Sequence, residues 1–319
     1  MSRFVRAANR GENHWAFYGL TVFVILLAFV LGSMPIKLII EHKMRLGTLS
    51  PAMLAEFHST YDFSILGMPT YVGLMLMLLG HALAAIVLCV AVRYVHKRPI
   101  VSVVTSRKPV DFGRVIFAFG LWMALSFLAE FVMYGMFPED YTFNVNLRSW
   151  LPLLLVSLLL LPIQTTFEEV LIRGYFLQGL GLLTRSKWIV IVITSIIFAA
   201  MHLGNPEVRE YGIGLMTLYY MSVALFLAII TFLDEGLELA IGIHAATNVY
   251  GSTVVSFEGS VLQTDSLIRL DHLNPVWMIV LFFGMMLLFV IIAAQKYKLQ
   301  HFSTLFARIE LEETEDLST

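Results

Sequence analysis

The chain has 319 residues, of which 58% are hydrophobic and 14% charged, and its mean hydropathy is +0.80. Soluble domains carry charges on about a quarter of their residues, so this composition excludes a soluble globular protein. The net charge of −2 and the lack of a basic stripe in the sequence give no sign of nucleic-acid binding. Cys89 is the single cysteine, which excludes an intramolecular disulfide and a cysteine-ligated metal cluster. The sequence predicts an all-α fold, a polytopic membrane helical bundle.

About eight transmembrane helices are predicted, because polar or Gly/Pro-containing stretches separate eight apolar segments. The segments cover residues 15–34, 71–92, 115–137, 150–184, 188–202, 213–233, 237–255 and 275–294. We expect a single membrane domain over residues 1–319, with the first three segments (15–137) at its periphery and segments four to seven (150–255) as its core. Residues 295–319 are predicted to form a cytoplasmic tail whose acidic end is frayed.

The lengths of two apolar segments, the first and the fourth, bear on this layout. The first apolar segment is too long for a cleaved signal peptide, and no small-residue cleavage site follows it. The fourth segment is too long for one simple span, so we expect a kink near Pro162 or an end that leaves the bilayer core.

The orientation follows from the distribution of positive charge. Eight spans place both termini on one side of the membrane, and the segments on that side carry 14 Lys and Arg residues against 6 on the other side. Because positive residues concentrate on the cytoplasmic side, both termini are predicted to be cytoplasmic. We expect a multi-pass integral protein of the plasma membrane of a prokaryote.

Residues 167–178, with the sequence F-E-E-V-L-I-R-G-Y-F-L-Q, place three charges directly after a strongly apolar run. On insertion scales, each such charge costs roughly 2.5–3.5 kcal/mol in hydrocarbon. Glu169 and Arg173 are four residues apart, so on a helix they share a face and neutralise each other. Glu168 points about 100° away from Glu169 and lacks that partner. We therefore predict that Glu169 and Arg173 brace the segment and that Glu168 performs chemistry.

Two more polar clusters lie in later apolar segments. Phe198 and His202 end the fifth segment, whereas His244 and Asn248 are four residues apart in the seventh and share a helical face. Taken singly, an intramembrane His or Asn is usually a packing or hydrogen-bonding residue. Together with Glu168, they are the usual groups for activating a water and stabilising an oxyanion.

Three other polar residues are weaker candidates. Glu130 is predicted to be a satellite of the site or a partner for a buried donor, and His81 is predicted to be a packing residue. Ser195 lies seven residues before His202 on the same face, where it could support the imidazole. The sequence contains no G-x-S-x-G, H-E-x-x-H, P-loop or G-x-G-x-x-G motif.

The three clusters resemble motifs of a known family. E-E-V-L-I-R at 168–173, F-A-A-M-H at 198–202 and H-A-A-T-N at 244–248 are similar to the E-E-x-x-x-R, F-x-x-x-H and H-x-x-x-N motifs of the CPBP family. This family comprises the type II CAAX prenyl endopeptidases and their bacteriocin-processing and immunity relatives, also called the ABI family. The resemblance covers residues 151–255 and implies a glutamate-dependent intramembrane endopeptidase.

Residue by residue, the resemblance implies that Glu168 and His202 activate the water, and that His244 and Asn248 form the oxyanion hole. The residues expected to give structural support are Glu169, Arg173 and Phe198. A peptide or protein in or near the membrane is the implied substrate, with the lipid bilayer as surroundings.

Two alternatives stay open at the level of the sequence. The family was earlier described as metal-dependent, and Glu168, His202 and His244 could hold zinc. We predict no metal or other cofactor, because the sequence has no tight ligand spacing such as H-x-x-x-H. A non-catalytic membrane protein of the same fold, with an immunity, partner-binding or transport role, is the alternative function.

One geometric conflict accompanies this assignment. Counted inward from the turn at residues 185–187, Glu168 and His202 lie roughly 22–26 Å deep at 1.5 Å per residue. Counted from Glu238 on the same side, His244 lies only about 9 Å deep. The clusters can meet only if a helix tilts, if the chain breaks near Pro162, or if a predicted boundary is wrong.

Overall fold

A computed structural model of the chain describes residues 2–310. The predicted frayed acidic end of the tail, at residues 311–319, lies outside these described residues. We number the α-helices within residues 2–310 from α1 to α12 in chain order. They are Arg3–Arg6, Trp15–Arg45, Pro51–Thr60, Thr70–Val90, Phe112–Met136, Leu147–Glu169, Leu177–Thr184, Lys187–His202, Pro206–Tyr211, Ile213–Asp234, Glu238–Thr253 and Pro275–Tyr297. The predicted all-α membrane bundle is confirmed.

All eight predicted apolar segments are helical, but their boundaries differ in places. The first predicted apolar segment corresponds to α2, which continues through Pro35 to Arg45, well beyond the predicted end at residue 34. The fourth segment continues through Pro162 as α6 and widens into a π-helix, Val170–Phe176, before α7. The segment is therefore continuously helical, and its helix type changes directly after Glu169.

The eight predicted spans differ in length. Among residues 2–310, six helical stretches are long and apolar enough to cross a membrane. The other two predicted spans, α8 and α11, have only 16 residues each. At 1.5 Å per residue such a helix is about 24 Å long, less than the ~30 Å hydrocarbon core.

Helix α11 lies at the centre of the bundle, packed between α5 and α6. Thirteen of its 16 residues are buried. The close packing against α5 depends on Gly242, because a Cβ at that position would lie 2.4 Å from the Val115 carbonyl oxygen. Around this centre, α4 packs against α2 and α6, and α10 packs against α8.

A small three-stranded sheet, which the sequence did not predict, closes one end of the bundle. Its strands are β1 (Tyr141–Phe143), β2 (Val255–Phe257) and β3 (Ile268–Leu270). The strand order is β1-β3-β2, with β1 antiparallel and β2 parallel to β3. The sheet therefore ties the connection before α6 to the connection after α11.

The position of α5 between two polar connections gives a test of the topology. Reporter fusions at Ser102 and at Tyr141 flank this single helix. We expect the two reporters to lie on opposite sides of the membrane, with Ser102 cytoplasmic because of the positive charge around it. A signal from the same side for both positions would remove α5 from the set of spanning helices.

Candidate functional site

The brace predicted from the sequence is present at the junction of α6 and the π-helix. Arg173 Nη1 donates a hydrogen bond of 2.9 Å to Glu169 Oε1, and both side chains are 0% exposed. The two charges therefore face each other in a part of the protein that water does not reach. A π-helical turn within an α-helix is rare and is frequent at functional sites.

The same oxygen of Glu169 also accepts a hydrogen bond from His244 Nδ1, at 2.7 Å. A carboxylate that is paired with Arg173 can only accept, so His244 carries a proton on Nδ1. This bond fixes the orientation of the imidazole and turns its Nε2 towards Glu168 Oε2, 3.7 Å away. Glu169 thus connects α6 and the π-helix, which carry the charged pair, to His244 on α11.

Phe198 links the brace to His202. The guanidinium of Arg173 lies 4.1 Å from the centroid of the Phe198 ring, a cation–π arrangement. His202 Nδ1 donates to the backbone carbonyl of Phe198 at 2.8 Å, and the His202 ring lies between the rings of Phe198 and Tyr220. In the neutral imidazole, His202 Nε2 is therefore the acceptor nitrogen.

Glu168 is 7% exposed and has two unlike oxygen environments. Its Oε1 accepts from Gln164 Nε2 at 2.5 Å and lies 3.6 Å from His81 Nε2. Its Oε2 is buried and has no hydrogen-bond partner in the structure. One oxygen of the carboxylate is thus held by a hydrogen bond, and the other lies beside His244 Nε2 without one.

These residues line one cavity of about 450 Å³, which we call the site cavity. Its polar side chains near Glu168 are His81, Gln164, Glu168, His202, His244 and Asn248. Asn248 Nδ2 donates to Gln164 Oε1 at 3.0 Å, so the amide of Gln164 connects Asn248 to Glu168. The four residues predicted to be catalytic are therefore gathered around a single space.

The conflict in depth has a clear origin, since the predicted start of α11 is buried under another part of the chain. Glu238 is 0% exposed, and Arg107 Nη1 donates to its carboxylate at 3.0 Å. The backbone N–H of Leu237 donates to the Val104 carbonyl at 2.8 Å. The loop before α5 therefore covers this turn, so a depth for His244 counted from Glu238 as a surface residue was too small.

At the end of the site cavity near α9, Glu207 holds the loop that follows β2. Its Oε1 accepts from the backbone N–H of Val261 at 2.7 Å, and the phenol of Tyr211 donates to the Glu258 carbonyl. Burial raises the pKa of the Glu207 carboxyl, whereas the hydrogen bond from Val261 opposes that shift. Both Glu207 and Val261 line the site cavity, so this contact forms part of its wall.

Of the three weaker candidates, His81 and Ser195 are placed differently from the predictions, whereas Glu130 is a hydrogen-bond partner for donors, the second of its two predicted roles. His81 is not only a packing residue, because it faces Glu168 as well as the ring of Phe29. Ser195 is buried and its hydroxyl has no partner, so it does not hydrogen-bond to His202. Glu130 accepts from the phenols of Tyr141 and Tyr250 and lines a neighbouring cavity of about 210 Å³.

A family profile described as type II CAAX prenyl endopeptidase Rce1-like matches residues 148–250. This range contains all three motifs and every predicted catalytic residue. The predicted family resemblance is confirmed. The profile is that of a family of CAAX prenyl endopeptidases.

The chain is also 29% identical over 191 residues to the uncharacterized protein YyaK of Bacillus subtilis (strain 168). The aligned region covers 59% of this chain and 63% of YyaK, so the match spans less than two thirds of that relative. No solved structure matches the chain.

Sequence reasoning missed Gln164 and misjudged His81. Gln164 lies four residues before Glu168, so the helical spacing already placed both side chains on one face. His81 gave no such signal, because α4 lies outside the range that matches the family and its contact with Glu168 depends on packing between helices.

The buried brace predicts a strong loss of stability in Arg173→Ala. Removal of the guanidinium leaves Glu169 as a buried charge without its cationic partner, which typically costs about 3–5 kcal/mol. We expect a lower thermal unfolding temperature and lower abundance of the purified protein, with partial rescue by Glu169→Gln.

Lys37→Ala is a matched control for this test. Lys37 and Glu41 have the same i,i+4 spacing, but they are exposed and 3.9 Å apart, so we expect little change. If Arg173→Ala proves as stable as the parent and loses only activity, the arginine takes part in the chemistry instead.

Proposed function

We propose that this protein is an intramembrane endopeptidase that hydrolyses a peptide bond with a water activated by Glu168 and His202. The observation that carries the proposal is the free, buried Oε2 of Glu168 in a cavity shared with His202, His244 and Asn248. A charged carboxylate oxygen without a hydrogen-bond partner is costly in such surroundings, and ionisable residues in membrane helices mark functional sites.

The proposed reaction begins with a water in the site cavity, next to Glu168. Glu168 Oε2 takes a proton from this water while the Nε2 lone pair of His202 orients it. The water oxygen then bonds to the carbonyl carbon of the substrate and forms a tetrahedral intermediate. As the C–N bond breaks, the proton on Glu168 passes to the leaving nitrogen, which regenerates the carboxylate.

Asn248 and His244 are the proposed donors to the oxyanion. One N–H of Asn248 Nδ2 is directed to Gln164, and its second N–H remains for the substrate oxygen. His244 uses Nδ1 for Glu169, so it donates from Nε2 only when both nitrogens are protonated. Preorganised donors of this kind usually supply a large part of the rate enhancement.

A charge count supports the protonated form of His244 in this mechanism. Glu168 and Glu169 contribute two negative charges and Arg173 one positive charge, all of them buried. A proton on His244, which faces both carboxylates, makes this group neutral. Because net charge is costly in a low-dielectric interior, we propose that His244 serves as the Nε2 donor in this doubly protonated form.

We propose that the reaction needs no metal ion or other cofactor. Within residues 2–310, no three His, Cys, Asp or Glu side chains form a group that could hold a metal ion. This absence supports the proposal, because a catalytic zinc centre is usually held by three such ligands.

The proposed substrate is a peptide or protein segment in or near the bilayer. Away from its polar residues, the site cavity is lined largely by aromatic, Leu and Met side chains, which suit an apolar segment. We propose that the protein lies in the plasma membrane of a prokaryote with both termini cytoplasmic, an orientation that the distribution of Lys and Arg favours.

Site variants test the assignment of the four residues. Comparison of membrane-protein fragments from cells that express the parent or Glu168→Gln identifies a substrate, and the purified proteins are then assayed on it. We expect Glu168→Gln and His202→Ala to abolish cleavage, because the water loses its activating groups. Asn248→Ala should keep weak activity, since loss of one oxyanion donor costs about 10²–10³ in rate.

All three variants should fold, because none removes the Glu169–Arg173 pair. A biological role that survives Glu168→Gln unchanged, with no fragment that depends on Glu168, would instead support a non-catalytic membrane protein of the same fold.

Chelation tests the metal question in the same assay. We expect the purified protein to keep its activity after treatment with a strong zinc chelator, because Glu168 and His202 activate the water directly. Activity that is lost on chelation and restored by zinc would contradict this mechanism and make Glu168, His202 and His244 metal ligands.

A further inference from the structure

One side-chain amide in the site cavity contacts both the proposed base, Glu168, and the proposed oxyanion donor, Asn248. Gln164 Nε2 donates to Glu168 Oε1 at 2.5 Å, and Gln164 Oε1 accepts from Asn248 Nδ2 at 3.0 Å. Gln164 is 8% exposed, so both bonds form away from bulk water. We propose that Gln164 is a positioning residue that sets the geometry of the base and of the oxyanion donor together.

The two bonds have different consequences for the two partners. On Glu168, the donor occupies Oε1, and His81 Nε2 lies 3.6 Å from the same oxygen. Proton transfer is thereby directed to Oε2, which has no hydrogen-bond partner and faces His244. The amide therefore selects which carboxylate oxygen acts as the base.

On Asn248, the bond fixes the rotation of the side-chain amide. A free asparagine amide can present its oxygen or its nitrogen to a ligand, and only the nitrogen can stabilise an oxyanion. The Gln164 oxygen accepts only from the Nδ2 end, so the donor end of Asn248 stays on the side of the site cavity. Gln164 also connects α6 to α11, which carry the base and the donor respectively.

The same pair of helices offers a matched control. Ser157 on α6 and Ser252 on α11 are joined by a buried hydrogen bond of 2.7 Å, and neither residue lines the site cavity. Ser157→Ala therefore removes one buried bond between the same two helices without contacting Glu168 or Asn248. A purely structural role for Gln164 predicts similar effects of the two substitutions.

The inference rests on the proposed peptidase function, so the assay uses the purified full chain and the substrate that the parent cleaves and Glu168→Gln does not. For Gln164→Leu we expect a kcat about 10- to 100-fold lower with little change in KM, as for a lost hydrogen bond to a charged group. Ser157→Ala should lower thermal stability but leave kcat and KM unchanged.

Gln164→Glu is a conservative variant whose kcat is expected to depend on pH. A protonated carboxyl at position 164 can still donate to Glu168 and accept from Asn248, whereas two ionised carboxylates repel each other. The other titratable or charged groups near Glu168 are His81 on α4, His202 on α8, His244 on α11, and Glu169 and Arg173 on its own segment. We expect Gln164→Glu to exceed Gln164→Leu in kcat at acidic pH and to lose this advantage as the pH rises.

The outcomes separate the two proposals. A parent chain that cleaves nothing in a Glu168-dependent way overturns the peptidase function and this inference with it. Cleavage by the parent together with a Gln164→Leu variant of unchanged kcat overturns only the role of Gln164. Equal losses of kcat in Gln164→Leu and Ser157→Ala also overturn it, because they show that helix packing alone is responsible.

Discussion

A single carboxylate oxygen, Oε1 of Glu169, holds the centre of this protein together. It accepts hydrogen bonds from Arg173 and from His244, and all three side chains are buried. Because a buried charge is tolerated only when it is paired, these groups cannot separate without a large cost in free energy. Arg173 extends the contact to the ring of Phe198. The pairing that makes charge tolerable inside the bundle thus also fixes where the histidines lie.

Two short helices bring the site into the interior. Helix α8 ends at His202, which lines the site cavity, and α11 begins at Glu238, which is already buried. A helix that spanned the whole bilayer would carry its polar ends to the two surfaces. The 16-residue helices instead bring polar side chains to the site cavity, α8 with His202 at its end and α11 with His244 and Asn248 along its length.

Much of the fold and of the site could be predicted because the responsible signals are local in sequence. Apolar length located the helices, and the four-residue spacing of Glu169 and Arg173 predicted their contact. The depth of His244 could not be predicted, since it depends on whether the turn before Glu238 is covered by another part of the chain. The contact of His81 with Glu168 is also tertiary, because nothing within α4 indicates which side chain its imidazole will face.

The interface between α6 and α11 shows how stability and reactivity can be carried by neighbouring contacts. Ser157 and Ser252 form one buried bond, while Gln164 and Asn248 form another seven residues further along α6 and four residues back along α11. The two bonds contribute in the same way to holding antiparallel neighbours together. Only the second continues to a carboxylate, since the Gln164 amide has a second hydrogen-bonding atom that reaches Glu168. The extended amide of glutamine therefore allows one helix contact to serve both packing and the orientation of Glu168.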